Sequence, residues 1–168
     1  MKVGSKMLSM TIVISLIAVM ICGLFNPADV QAATMPTIDL TQLTADTSGD
    51  GWSYVNSTGV LTITSGEIKV TTGGVIVRDK VIEISGDRSV CPEINLRIES
   101  LYLNTRTSCI KVVSSNTSDI RITLYRDNSL VSTGSAGILK SDTTNSTLTI
   151  DGSGRVTATG ATNYPGIG

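Results

Sequence analysis

The chain predicts an all-β fold, a right-handed parallel β-helix of about three coils. Short runs of alternating, β-branched residues recur from Leu61 onward, each bounded by Gly, Ser, Asn or Asp, with almost no helical pattern between them. Ile82, Ile110, Ile138 and Ile167 are separated by 28, 28 and 29 residues, and Ile94, Ile120 and Leu148 by 26 and 28. Two columns that share a period of this size mark a solenoid, in which each repeat buries its apolar face only against its neighbours. A β-sandwich also accommodates short, regularly spaced strands, but it predicts no such columns.

Residues 1–32 read as a signal peptide. Lys2 and Lys6 precede an apolar core from Ile12 to Leu24, Pro27 breaks it, and "VQA" at Val30 to Ala32 offers small residues for cleavage after Ala32. The apolar core falls short of the ~20 residues needed to span a bilayer. Ile21, before Cys22, lacks the small side chain of a lipoprotein signal. The whole chain carries net charge −1; without Lys2, Lys6 and Asp29 the balance is 11 basic against 13 acidic, net −2. That balance recruits neither nucleic acid nor an anionic membrane surface. Histidine is absent, which excludes Ser-His and Cys-His catalysis and His-ligated zinc.

Residues 33–59 are expected to form an N-terminal lid. "IDLTQLTADTSGDGWSYV" offers Ile38, Leu40, Leu43 and Trp52 to cover the first coil. Within it, Asp46, Ser48 and Asp50 alternate and Gly51 follows, as in a calcium loop, yet the twelfth position from Asp46 is Ser57 and not the bidentate glutamate such loops use. An Asp-Gly turn into the first strand is therefore expected. No cofactor is called for, and calcium has only weak support, since no acidic cluster singles out a site.

Residues 60–168 carry the repeats: "LTIT" at Leu61, "EIKV" at Glu67, "VIEI" at Val81, "EINLRI" at Glu93, "IKVV" at Ile110, "IRITL" at Ile120, "TLTI" at Thr147 and "RVTAT" at Arg155. In one coil "DIRITL", "NSLVS" and "AGILK" form three sides, with "STLTI", "GRVTAT" and "PGIG" directly above them. Alternation points Ile120, Ile122 and Leu124 inward against Leu148 and Ile150, and Arg121 and Thr123 outward. Gly134, Gly137, Gly152 and Gly160 are expected at corners. Cys91 and Cys109 leave two readings open in an oxidising compartment: a disulfide, or two small buried thiols in separate strands. The chain stops in mid-repeat at Gly168, so the solenoid is expected to be incomplete at its C-terminal end and to self-associate through that open coil.

From Asp50 onward, "DGWSYVNSTGVLTI", "IRITLYRDNSLVSTGSAGILKSDTTNSTLTIDGSGRVTATG" and "PGIG" resemble the repeat modules of large secreted or wall-attached bacterial proteins. Those proteins are parallel β-helices of the carbohydrate-binding-domain or adhesin-like type. The resemblance implies a non-enzymatic extracellular or cell-wall-associated module, with a polysaccharide or another extracellular macromolecule as partner. A structural stalk or spacer is the first alternative, and a remnant of a calcium-dependent polysaccharide lyase the second.

The acids Asp119, Asp127, Asp142 and Asp151 fall mostly at strand ends and turns, without the convergence that acid-base or metal chemistry needs, so no catalytic residue is assigned. Arg97, Arg121 and Arg126 are suited to neutralise a uronate. Among the few aromatics, Tyr125, Tyr102 and Trp52 are the candidate ligand-binding residues, Tyr125 foremost; Trp52 also suits a capping role. The Asn-x-Ser/Thr sequons at Asn56, Asn116 and Asn145 read as turn residues.

Overall fold

In a computed structural model, residues 35–141 and 145–168 are described. The expected signal peptide and Asp142 lie outside them. The described residues contain strands and turns and no helix. β1 (Thr37–Asp39) is followed by a hairpin of β2 (Thr47–Gly49) and β3 (Trp52–Val55). Coil 1 is β4 (Val60–Ile63), β5 (Glu67–Thr71) and β6 (Ile76–Arg78). Coil 2 is β7 (Val81–Ile84), β8 (Glu93–Glu99) and β9 (Tyr102–Thr105). Coil 3 is β10 (Ile110–Val112), β11 (Asp119–Tyr125) and β12 (Asp127–Ser132). Coil 4 is β13 (Ile138–Lys140), β14 (Leu148–Gly152) and β15 (Arg155–Thr159).

These strands stack into three sheets: five-stranded β1-β5-β8-β11-β14, six-stranded β13-β10-β7-β4-β3-β2, and four-stranded β15-β12-β9-β6. Every pairing from β4 onward is parallel, so the molecule is a β-solenoid. Both sequence columns are ladders of the structure. Ile82 pairs with Ile110, Ile110 with Ile138, and Ile138 bridges to Ile167. Ile94 pairs with Ile120 and Ile120 with Leu148.

The solenoid makes about four turns, one more than the sequence period suggests. Leu61 sits under Ile82 at a separation of only 21 residues, because three residues join β4 to β5 whereas eight join β7 to β8. A search for a fixed 28-residue step therefore starts at Ile82 and passes over the first coil.

Alternation sets the core. Ile94, Leu96 and Ile98 of β8 and Ile120, Ile122 and Leu124 of β11 are buried, while Arg97, Arg121 and Thr123 face out. Polar side chains close the corners where the backbone leaves the ladders. Asn128 accepts from the Leu101 N–H (3.0 Å) in coil 2 and donates to the Arg155 carbonyl (3.0 Å) in coil 4, so one side chain ties three coils. Asn116, wholly buried, accepts from the Gly86 N–H (2.9 Å) and donates to the Ser118 carbonyl (2.7 Å). Buried amides survive only when both ends are satisfied, as here. Asn116 is thus a turn residue, as the sequence reading expects. Gly134 and Gly160 lie where a Cβ would run into the carbonyl oxygens of Arg106 and Pro165.

The N-terminal segment covers the first coil. β1 extends the five-stranded sheet, with Ile38 beside Val70, and the β2–β3 hairpin lies antiparallel on β4. Asp50 and Gly51 form its two-residue turn, with Gly51 at φ +74°, which is the Asp-Gly turn expected for "DTSGDG". Leu40 and Tyr54 are buried, and Leu43 and Trp52 pack on the core. Lys80 fastens this cover: its Nζ donates to the carbonyls of Leu40 (2.7 Å) and Leu43 and stands 5.1 Å from the Tyr54 ring centre.

Candidate functional site

The outward side chains of the five-stranded sheet form the most organised polar surface. Parallel register stacks them in columns: Lys69, Arg97, Thr123, Asp151; Glu67, Asn95, Arg121, Thr149; and Thr71, Glu99, Tyr125. Adjacent members of a column stand about 4.8 Å apart, the spacing of neighbouring strands. The face therefore sets charged, hydroxyl, amide and aromatic side chains side by side along the solenoid axis.

Most of its charges are used internally. Lys69 Nζ meets Glu99 Oε2 at 2.5 Å, and Arg126 Nε reaches Glu99 Oε1 at 3.1 Å. Arg121 lies between Glu93, at 3.5 Å, and Asp151. Arg88 Nη2 pairs with Asp119 Oδ1 at 2.8 Å. The hydrogen bond from Lys69, helped by the charges of Lys69, Arg126 and Arg97, holds the Glu99 carboxyl below its usual range against the opposing effect of burial. The backbone N–H of Thr147, and then Arg88, does the same for Asp119. Arg121 is held above its ordinary value by Asp151 and then Glu93.

Arg97 differs from the other cations. No carboxylate lies within ion-pairing distance of it among the described residues, and its Nε is buried without a hydrogen-bond partner. Its guanidinium is stacked instead on Tyr125, 3.6 Å from the ring centre. The register explains the contact: Arg97 lies beside Thr123, so Tyr125, two residues along the same face, is its diagonal neighbour. Sequence reasoning singled out both residues without joining them, although the 26-residue step from Ile94 to Ile120 contains the pairing.

Tyr125, Tyr102 and Trp52 do not share a face. Tyr125 is on the five-stranded sheet, Tyr102 on the four-stranded sheet and Trp52 on the six-stranded sheet. Trp52 is half-buried, packs on the core and lies over Gly49, where an added Cβ would strike the indole; this is the capping role. The three residues form no common stacking platform.

A second concavity, a cleft of about 250 Å³, lies where the four-stranded sheet turns toward the six-stranded one. Arg78, Asp79, Asn104, Thr105, Arg106 and Thr133 line it. Asp79 and Arg106, 3.9 Å apart, are both largely exposed, so the cleft holds no fixed charge arrangement.

Cys91 and Cys109 are free thiols, so the disulfide reading gives way to the reading of two separate thiols. Cys91 precedes β8, and its Sγ donates to the Glu93 carbonyl; Cys109 precedes β10, and its Sγ contacts the Val131 carbonyl. The two occupy different corners, Cys91 between β7 and β8 and Cys109 between β9 and β10. Burial pushes the Cys109 thiol above its ordinary value. Among the described residues, no three His, Cys, Asp or Glu side chains gather around a common point. Asp119, Asp127 and Asp151 each face an arginine: Arg88, Arg155 and Arg121. Compared with protein-family models, curated proteins and solved structures, the chain matches none.

Proposed function

We propose that this solenoid is a non-catalytic glycan-binding module of a secreted or cell-surface protein, with its ligand lying along the outer face of the five-stranded sheet. The observation that carries the reading is the Arg97–Tyr125 stack in the middle of that face, flanked by Asn95, Thr71 and Thr123. A planar aromatic beside hydroxyl and amide groups suits a sugar, whose ring is apolar on its faces and hydroxylated at its edge. Affinity electrophoresis through a panel of soluble polysaccharides tests it: the protein is retarded by at least one, and Tyr125→Ala abolishes the retardation while the thermal melt keeps its shape.

The reading as a stalk or spacer draws on a different observation, the mutual neutralisation of Lys69, Glu99, Arg121, Glu93 and Asp151. A face that satisfies its own charges needs only to stay soluble. Migration unaffected by every polysaccharide in the panel selects that reading. Release of unsaturated uronates from pectin in the presence of calcium would instead select the lyase remnant.

A further inference from the structure

We infer that the glycan is acidic, and that Arg97 recognises it by pairing with the carboxylate of a uronic acid unit. This rests on the glycan-binding reading and adds the chemical class of the ligand.

Among the described residues, five cationic side chains stand on or beside the five-stranded face: Lys69, Arg88, Arg97, Arg121 and Arg126. Four have a carboxylate within 3.5 Å, on Glu99, Asp119, Glu93 or Asp151. Arg97 has none, although the sheet supplies acids around it and its column neighbour Lys69 takes Glu99. Its guanidinium donates no hydrogen bond among the described residues. The half-buried Arg97 loses one N–H, on Nε, to the interior, which leaves the Nη edge for any partner from outside.

Tyr125 fixes the plane of that edge by stacking on it, so the arginine is held ready and little side-chain freedom remains to be lost on binding. Two parallel N–H groups in one plane match the two oxygens of a carboxylate. Thr123 is the register neighbour of Arg97 on β11; its hydroxyl donates to Asp151 Oδ1 (3.4 Å), and its oxygen is left to accept from a sugar hydroxyl. A neutral sugar uses the ring and the hydroxyls but leaves the guanidinium edge without a hydrogen-bond partner. A uronate uses all three.

Affinity electrophoresis and titration calorimetry with polygalacturonate, its methyl ester and a sulfated neutral glycan distinguish the outcomes. The acid is expected to bind roughly five- to tenfold more tightly than the ester, the gain of one charge-assisted pair at a partly exposed site. Arg97→Gln should abolish the preference, so that acid and ester bind that variant equally, and Arg97→Lys should restore part of it, since an ammonium keeps the charge without the fork. Equal binding of acid and ester, or acid binding untouched in Arg97→Gln, overturns the uronate assignment while leaving a glycan-binding face. Preference for the sulfated glycan over the uronate overturns the carboxylate. Binding of none of the three overturns this inference, and if the wider panel is also without effect, the glycan reading falls with it.

Discussion

Leu61 and Ile63 in coil 1 and Leu148 and Ile150 in coil 4 are the same residue types at inward positions, on two different sheets of the same solenoid, yet their burial differs. The first pair is completely buried; the second is only half-buried. The residue types are the same and the alternation is the same, so neither accounts for the difference. What differs is the next layer. β1 and the β2–β3 hairpin lie against coil 1, whereas among the described residues β14 and β15 have strand partners on one side only. In a solenoid, burial is conferred by the neighbouring coil, and the same apolar side chain is worth more in the middle than at an edge.

The largest expected effect follows directly. Ile110 is fully buried between Ile82 and Ile138, so Ile110→Ala should cost about 2–5 kcal/mol of unfolding free energy. Ile150→Ala, at an inward position with one side less covered, should cost roughly half of that or less. Urea denaturation of both variants decides the matter. Equal losses would mean that coil 4 is as well sheltered as coil 3 and would remove the contrast.

A smaller effect probes the other side of the comparison. Among the described residues, Lys80 is the cation that reaches across the N-terminal cover, through the carbonyls of Leu40 and Leu43 and the ring of Tyr54. Lys80→Met keeps most of the stem and removes the charge and both donors, with an expected loss of about 1–3 kcal/mol. Hydrogen exchange should accelerate first at Leu40 and Tyr54, not in coil 3. Uniform acceleration along the solenoid would show that the cover is not a separate element.

These regions were not equally legible in the sequence. The ladder through Ile82, Ile110, Ile138 and Ile167 could be read because a two-residue alternation inside a fixed repeat leaves a double signature. The strands of coil 1 were read as part of the repeats, but the coil fell out of the count because its short β4–β5 connection breaks the period without breaking the stacking. The sheet-face pairing of Arg97 with Tyr125 was within reach of the same register arithmetic. The Lys80 contacts were not: a flexible side chain that finds carbonyls 40 and 37 residues earlier leaves no periodic mark. Nor does alternation say which sheet an outward residue joins, which is why the candidates Tyr102, Tyr125 and Trp52 could not be assigned to faces from the sequence; they lie on three different sheets.

The smallest effect separates the ends by pH. Asp119 accepts from the Thr147 N–H at 2.7 Å and pairs with Arg88, tying coils 2 and 3 to the start of β14. Its carboxyl is held below the ordinary value of 3.8, chiefly by the Thr147 N–H and then by Arg88. A folded-state value below the unfolded one means that the unfolded chain binds the proton first. The stabilisation is therefore complete above the unfolded value and disappears as pH falls through the folded one. Between pH 6 and pH 3, exchange at Leu148 and Ile150 should rise relative to Leu61 and Ile63. Glu99 is also held low and titrates in the same acid range, so the bare profile does not isolate Asp119. Asp119→Asn does: its amide oxygen still accepts the Thr147 N–H but has no proton to gain, so the extra acid sensitivity of coil 4 should vanish while that of the Lys69–Glu99 contact persists. If the variant kept the wild-type difference between the two ends, the acid response would belong to the uncovered edge itself and not to this carboxylate.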